Sequence, residues 1–185
     1  MTRHEFVATS HDCMLLVIDF QSAMLKVMPE WAETARTVNQ LTGAAEALDI
    51  PILLTEQYTK GLGPTIPEVL DGISAPEVFH KEHFSACLEP DFLPRVHACG
   101  RRQIVVAGME THVCVLQTCL DLIRAGFQVH LAADAVASRK VRNRDIAIDL
   151  MRQAGAVITS TEIVIFQWAR RANTDSFRRI LPIVR

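Results

Sequence analysis

The sequence lacks the features that mark several large classes of protein. Its 185 residues contain no apolar run as long as the roughly 18 residues that a membrane-spanning helix needs. The N-terminal stretch MTRHEFVATSHDC has no apolar core of the kind found in signal peptides. The formal net charge is −2, so a strong electrostatic footprint for nucleic acid is missing as well. We therefore expect a cytoplasmic protein that acts on a small-molecule substrate, with neither nucleic acid nor a membrane as a partner.

Motifs built on cysteine or glycine are also missing. The number of cysteines is five, which is odd, and no CxxC pair occurs, so a disulfide framework and a zinc ribbon are not expected. No GxGxxG follows a predicted strand, and GLGPT (61–65) does not lead into a helix with the Lys-Ser/Thr of a phosphate loop. Most of the thiols are expected to be small buried apolar groups. The question is whether one of them is a nucleophile.

Apolar runs and amphipathic helical patterns alternate along the chain, without repeats, low-complexity tracts or linkers. Strands are predicted at 13–20, 52–55, 77–81, 103–108, 127–134 and 156–160. Helices are predicted at 31–48, in a short segment ending at Gly100, at 113–126, at 143–155 and at 161–169, the last capped by Ser160 or Thr161. Such strand–helix–strand units predict a three-layer α/β/α Rossmann-like fold with a six-stranded parallel sheet. We expect residues 1–185 to form a single domain.

Polar side chains at the predicted strand ends are the candidates for a functional site, because ligands of such sheets bind at the carboxyl ends of the strands. Asp19 ends the first strand, where it either caps the next segment or serves as a base or ligand. Lys81 ends the third strand, and an exposed lysine is the ordinary alternative there. Cys114 follows the fourth strand at a helix start, where the helix dipole stabilises a thiolate and a neighbouring oxyanion. We expect Lys81 and the helix terminus to lower the pKa of Cys114, and Asp19 to accept its proton.

Four segments carry a further signal because they occur in a fixed order: LLVIDFQ (15–21), KEHFSA (81–86), VAGMETHVCVLQTCLDL (106–122) and ADAVASR (133–139). They resemble the isochorismatase-like cysteine hydrolases, a family that includes isochorismatases, nicotinamidases and N-carbamoylsarcosine amidases. The resemblance covers nearly the whole chain and implies Asp19, Lys81 and Cys114 as a catalytic triad. It also implies a cis peptide bond between Met109 and Glu110. That bond would turn the N–H of Glu110 toward the site, to form an oxyanion hole with the N–H of Cys114.

The resemblance also bears on metal binding. Nicotinamidases carry an Asp-x-His pair after the second strand, with further His residues, and these bind a metal. Glu56 and Tyr58 stand at the corresponding positions here, and the loop that follows supplies no His before His80. His80 and His83 flank Lys81, but no third ligand lies nearby in the sequence. We therefore predict no cofactor and no catalytic metal, and nicotinamidase activity is not expected.

The resulting hypothesis is a cysteine-dependent hydrolase that acts on the C–N bond of a small amide-like substrate through a covalent thioester. Gln21, Tyr58, Phe84 and His112 are expected to line the substrate pocket, with a structural role as the alternative for His112. Three other functions stay open. They are vinyl-ether hydrolysis of the isochorismatase type, which some family members perform without the cysteine, a redox-sensing role for the thiol, and a noncatalytic member of the family.

Three further segments are predicted to lie outside the core of the domain. The basic clusters at Arg101–Arg102 and from Arg139 to Arg144 lie next to predicted loops, so solvated faces are expected there. The apolar helix at 161–169, with Phe166 and Trp168, is expected to cover a partner chain rather than its own sheet. Because members of the family are commonly dimers or larger, we predict a homo-oligomer.

Overall fold

The strands form one parallel sheet in the computed structural model, which describes residues 4–184. They are β1 (Cys13–Ile18), β2 (Ile52–Gln57), β3 (Val78–Lys81), β4 (Gln103–Met109), β5 (Gln128–Ala137) and β6 (Val157–Thr159). Their order is β3-β2-β1-β4-β5-β6, and each neighbouring pair is parallel. The predicted α/β fold with a six-stranded parallel sheet is confirmed. Because the order reverses between β1 and β4, the ligand crevice of this sheet lies at their carboxyl ends.

Helices connect the strands and cover both faces of the sheet. They are α1 (Trp31–Ala47), α2 (Thr59–Leu62), α3 (Pro67–Leu70), α4 (Phe92–Ala98), α5 (Leu116–Arg124), α6 (Val141–Gln153), α7 (Thr161–Ala169) and α8 (Asp175–Ile180). One core packs α1, α7 and α8 against the sheet, and the other packs α4, α5 and α6 against its opposite face. Alternate residues of β1 enter the two cores in turn, which explains why this strand is apolar at every position. No helix between residues 4 and 184 combines the length and the apolar character that crossing a bilayer requires.

Several boundaries differ from the predicted ones. Strand β1 ends at Ile18 rather than at residue 20, because Asp19 turns the chain in a left-handed conformation with φ of 49°. Strand β2 runs on to Gln57, since its pairing with β3 continues that far. The helix predicted from residue 113 begins instead as a π-helical turn at Thr111–Val115, and only then continues as α5. The short helices α2 and α3 form between the second and third strands, where no helix was predicted, and α8 was not predicted either.

Helix α7 covers its own sheet. It begins as predicted, with Ser160 as its cap, whose Oγ accepts a hydrogen bond from the N–H of Ile163 at 3.4 Å. Trp168 is only 2% exposed and belongs to the same core as β1. The expectation that Trp168 covers a partner is therefore wrong, because its side chain lies on the face that packs on the sheet. Phe166 is 41% exposed and stays available to the surface.

His130, near the start of β5, is buried without a hydrogen-bond partner for either ring nitrogen among the residues described. Burial lowers the pKa of His130 from 6.5 to about 4. The folded protein therefore resists a proton that the unfolded chain accepts. Above pH 6.5 His130 does not reduce the free energy of unfolding. As the pH falls from 6.5 toward 4, the free energy of unfolding decreases by about 3 kcal/mol in total.

We expect the urea midpoint of the protein to fall between pH 7 and pH 5, and to fall less steeply in His130→Leu, which cannot be protonated. The measurement is urea unfolding followed by circular dichroism at several pH values. Equal pH dependence in the two proteins would show that His130 does not set the acid sensitivity.

Candidate active site

Asp19 lies at the carboxyl end of β1 with its carboxylate buried between two neighbours. Its Oδ1 accepts a hydrogen bond from Thr55 Oγ1 at 2.6 Å, and its Oδ2 lies 2.7 Å from Lys81 Nζ. The carbonyl of Thr55 accepts a hydrogen bond from the N–H of Asp19 at 3.1 Å, which fixes the backbone as well. Asp19 therefore does not act as a helix cap. Thr55 positions the carboxylate, and the sequence does not reveal this role because a threonine in a strand carries no functional signal.

Lys81 is buried at the end of β3 rather than exposed. Four oxygens surround its Nζ: Asp19 Oδ2 at 2.7 Å, Gln57 Oε1 at 2.6 Å, and the carbonyls of His83 and Phe84 at 3.2 Å each. A buried ammonium group requires such partners, because its desolvation is otherwise unfavourable. Lys81 thus holds Asp19 and the 83–84 backbone in fixed positions relative to each other.

Cys114 lies on the π-helical turn between β4 and α5, in the same pocket as Asp19, and its thiol is within the electrostatic influence of both Asp19 and Lys81. Burial, followed by the negative charge of Asp19, raises the pKa of Cys114 to about 12, while Lys81 opposes the increase. The expectation of a lowered pKa is therefore wrong. Lys81 acts in the expected direction, but its effect is smaller than that of burial and of the carboxylate beside it. The resting thiol is protonated at neutral pH.

The chain reaches Cys114 through an unusual backbone. Gly108 has φ of 121°, and a Cβ atom there would lie 2.0 Å from the carbonyl oxygen of Ile18 in β1. No other residue fits at this close approach of two strands. The peptide bond between Met109 and Glu110 is cis, as the resemblance implies.

Glu110 and Arg139 form a bidentate ion pair beside the thiol. Nη2 of Arg139 lies 2.6 Å from Oε1 of Glu110, and the N–H of Arg139 donates to Oε2 at 3.1 Å. Burial raises the pKa of Glu110, but the hydrogen bonds and charge of Arg139 outweigh it and hold the pKa below its ordinary value. Arg139 was assigned to a solvated basic cluster. Its side chain is 52% exposed, yet it carries the counter-charge of a buried carboxylate.

A pocket of about 380 Å³ opens over these groups. Asp19 and Cys114 lie in it, together with Gln57, and the Glu110–Arg139 pair forms part of its lining. The rest of the lining is apolar and consists of Met24, Leu62, Phe84, Met109 and Val113. The volume is at the lower end of the range for small-molecule sites.

Phe84 is the one residue of the four predicted for substrate binding that lines this pocket, within the part of the chain that the structure describes. Gln21 is fully buried and lies behind it. Its side-chain amide donates to the carbonyls of Gln57 at 3.0 Å and Gly63 at 2.6 Å, and its Oε1 accepts from the N–H of Gln57 at 2.8 Å. Gln21 therefore braces the backbone behind the pocket and has no free group to offer a ligand.

Tyr58 and His112 face other hollows. Tyr58 is an exposed residue with φ of 37°, and it lines a shallow depression together with His80 and Glu89. Nδ1 of His112 lies 3.0 Å from Ser138 Oγ, and its ring faces α6 rather than the thiol. The structure supports the structural alternative for His112.

Glu56, which stands where nicotinamidases carry a metal-binding Asp, already has partners. Its Oε1 accepts hydrogen bonds from the N–H and Oγ1 of Thr65 at 2.7 and 2.8 Å, and its Oε2 lies 3.5 Å from Nδ1 of His80. Within residues 4–184 no three His, Cys, Asp or Glu side chains come together as a metal-binding group. The absence of a catalytic metal stays a prediction, and Glu56 serves to hold the 59–65 loop.

Comparison with known proteins agrees with the fold and with the family resemblance. The isochorismatase domain matches residues 13–163. The secreted isochorismatase effector Isc1 of Phytophthora sojae is 36% identical over 179 residues, which cover 95% of this chain and 85% of the effector.

Several solved structures share the fold of this chain. The MAR1 ribonuclease of Caenorhabditis elegans superimposes with a TM-score of 0.89 at 33% identity, over 95% of this chain and 91% of that one. YcaC of Pseudomonas aeruginosa, described with hexane-2,5-diol and covalent acrylamide, gives 0.87 at 27% identity over 98% and 93%. YcaC of Escherichia coli, described as an octameric hydrolase of unknown specificity, gives 0.86 at 26% identity over 98% and 94%. This chain belongs to the isochorismatase-like hydrolase family.

Proposed function

We propose that this protein hydrolyses the C–N bond of a small amide-like substrate through a thioester on Cys114. The observation that carries the proposal is that the Cys114 thiol shares a pocket with a carboxylate that is itself held in place. Asp19 is fixed by Thr55 at 2.6 Å and by Lys81 at 2.7 Å, and it lines the pocket together with Cys114, whose pKa is raised by burial and by the negative charge of Asp19.

The first step moves a proton within this group. Because the pKa of Cys114 is about 12, the thiol needs a base, and Asp19 is the carboxylate within reach. Transfer of the proton from Sγ to Asp19 leaves a thiolate beside the Lys81 ammonium, so the total charge of the group does not change. The buried site therefore avoids creating an unpaired charge.

The thiolate then attacks the substrate carbonyl carbon, and the N–H groups of Glu110 and Cys114 stabilise the oxyanion. Asp19 returns its proton to the leaving amine, and the C–N bond breaks to give a thioester. Asp19 next takes a proton from water, which attacks the thioester, releases the carboxylic acid and restores the thiol. In sum, one amide and one water give one acid and one amine.

The relatives support parts of this proposal. A covalent acrylamide in the P. aeruginosa YcaC structure is consistent with a nucleophile in this fold. The octameric E. coli YcaC supports self-association, and we propose that this chain is a homo-oligomer too. A cytoplasmic location stays a proposal, because the P. sojae relative is named a secreted effector.

The test is a panel of amides and esters, assayed with the protein, with Cys114→Ala and with the control Cys99→Ala, whose thiol is partly exposed and outside the pocket. We expect Cys114→Ala to lower kcat/KM by about 10³-fold or more, as loss of a covalent nucleophile does, and Cys99→Ala to leave it unchanged. RNA and a vinyl ether belong in the panel, given the named activities of relatives. Vinyl-ether cleavage that survives Cys114→Ala but not Asp19→Ala would replace the amidase proposal.

A further inference from the structure

We infer that the pocket around Cys114 selects uncharged substrates and rejects those with a carboxylate, phosphate or ammonium group. This inference names the substrate class of the proposed hydrolase and so rests on the proposed function. Its physical basis is that the charges around the pocket already neutralise each other, so a charged substrate finds no counter-charge.

The charged groups at the pocket form two closed pairs. Asp19 and Lys81 are joined at 2.7 Å, and Lys81 Nζ has three further oxygens around it. Glu110 and Arg139 are joined at 2.6 Å, with Nε of Arg139 also within 3.1 Å of both carboxylate oxygens. The formal charges of the four groups sum to zero.

The rest of the lining cannot compensate a charge. Gln57 is uncharged, and its side chain accepts a hydrogen bond from Lys81 and donates one to the carbonyl of Glu82, at 2.6 Å each. The side chains of Met24, Leu62, Phe84, Met109 and Val113 present carbon and sulfur atoms only. An ionised group that enters such a lining loses its hydration and gains no ion pair, which is strongly unfavourable. A neutral amide with a short apolar chain loses little hydration, and its chain gains contact with these side chains.

Arg139 is the group that an anionic substrate would otherwise use, because its guanidinium is half-exposed. The side chain of Glu110 is only 4% exposed. Its carboxylate accepts hydrogen bonds from three nitrogens of Arg139: the backbone N, Nε and Nη2. A substrate carboxylate that used the same edge of the guanidinium, Nε and Nη2, would have to draw Arg139 away and leave a buried, unpaired Glu110. Glu110 therefore occupies this bidentate edge of Arg139 and compensates its charge.

The experiment compares iodoacetamide with iodoacetate as alkylating agents of Cys114, since the two share their size and leaving group and differ in charge. Rates at Cys114 come from peptide mass spectrometry and are divided by the rates of the same reagents with glutathione. We expect the normalised preference for iodoacetamide to be at least about tenfold, the effect of one poorly compensated charge. Glu110→Gln, which frees Arg139, should lower this preference about tenfold, and Arg139→Gln, which leaves Glu110 unpaired, should raise it.

Equal normalised rates for the two reagents, or alkylation by neither, would overturn the inference, as would a preference that Glu110→Gln does not change. Thermal unfolding of both variants checks that they are folded. A hydrolysis arm compares butyramide with succinamate, its carboxylate-bearing counterpart, and with 4-aminobutyramide. Turnover of the charged amides as fast as butyramide would overturn the inference and leave the hydrolase standing. Charge-selective alkylation without turnover of any amide would contradict the proposed hydrolase function and support the charge selectivity of the pocket.

Discussion

Asp19→Asn is expected to lower the rate of hydrolysis sharply while making Cys114 more acidic. Asp19 is one of the groups that raise the pKa of Cys114, and Lys81 opposes it. Replacing the carboxylate with an amide removes the first effect and leaves the positive charge of Lys81 facing the sulfur. The variant also loses the group that, in the mechanism we propose, takes the proton from the thiol and returns it to the amine. Hydrolysis should fall by about 10³-fold, within the range for loss of a general acid–base.

The two readouts are kcat/KM and the pH dependence of iodoacetamide alkylation at Cys114. In Asp19→Asn the alkylation curve should move to lower pH while turnover falls, so that a more reactive thiol accompanies a less active enzyme. Thr55→Val is the matched control, because it removes the 2.6 Å hydrogen bond to Asp19 and keeps the charge. It should lower turnover much less and leave the alkylation curve near that of the unchanged protein. An alkylation curve that moves to higher pH in Asp19→Asn would contradict the arrangement.

Gly108→Ala is expected to be the most destabilising small substitution at the site. Its Cβ would lie 2.0 Å from the Ile18 carbonyl oxygen and 2.6 Å from the Ile18 nitrogen, which are backbone atoms of the neighbouring strand. Either β1 and β4 separate or the backbone of Gly108 leaves its φ of 121°. We expect a loss of more than about 4 kcal/mol in the free energy of unfolding, a size reserved for such severe clashes.

Gly126→Ala separates the clash from the backbone conformation. Gly126 also has a positive φ, of 92°, but no atom lies within 4 Å of the position of its Cβ. It should cost about 1–3 kcal/mol, from backbone strain alone. The comparison is made by urea unfolding, with the slopes checked for equality. Similar losses in the two variants would mean that the strands adjust to the added methyl group.

The alternation of patterns was sufficient to predict the sheet, because a strand buried on both faces must be apolar throughout, as β1 is. Boundaries were less predictable where a single residue changes the backbone, as Asp19 does with its left-handed conformation. Helix α8 is short, and its sequence has no long amphipathic period to reveal it. The convergence of Asp19, Lys81 and Cys114 followed from a simple rule, since the carboxyl ends of parallel strands share one edge.

The properties that the sequence did not reveal depend on distances between side chains in the folded protein. The pKa of Cys114 is the balance of burial, one negative charge and one positive charge, and the order of three residues along the chain does not give their separation. Arg139 posed the same difficulty, since a basic residue near a loop has the same pattern whether it is solvated or paired with Glu110. A signal was present in that case, because Arg139 closes the ADAVASR motif, which resembles the family after the fifth strand.

Phe84 contributes to the site through both its side chain and its backbone. Its ring lines the pocket, and its backbone carbonyl accepts a hydrogen bond from Lys81 at 3.2 Å. Replacing Phe84 with a smaller residue enlarges the pocket and leaves the backbone carbonyl in place. An insertion or deletion at residues 83–84 instead displaces the two carbonyl oxygens that accept hydrogen bonds from the buried ammonium group of Lys81. Laboratory evolution toward larger substrates should therefore accept substitutions of the Phe84 side chain and reject changes in the length of its loop.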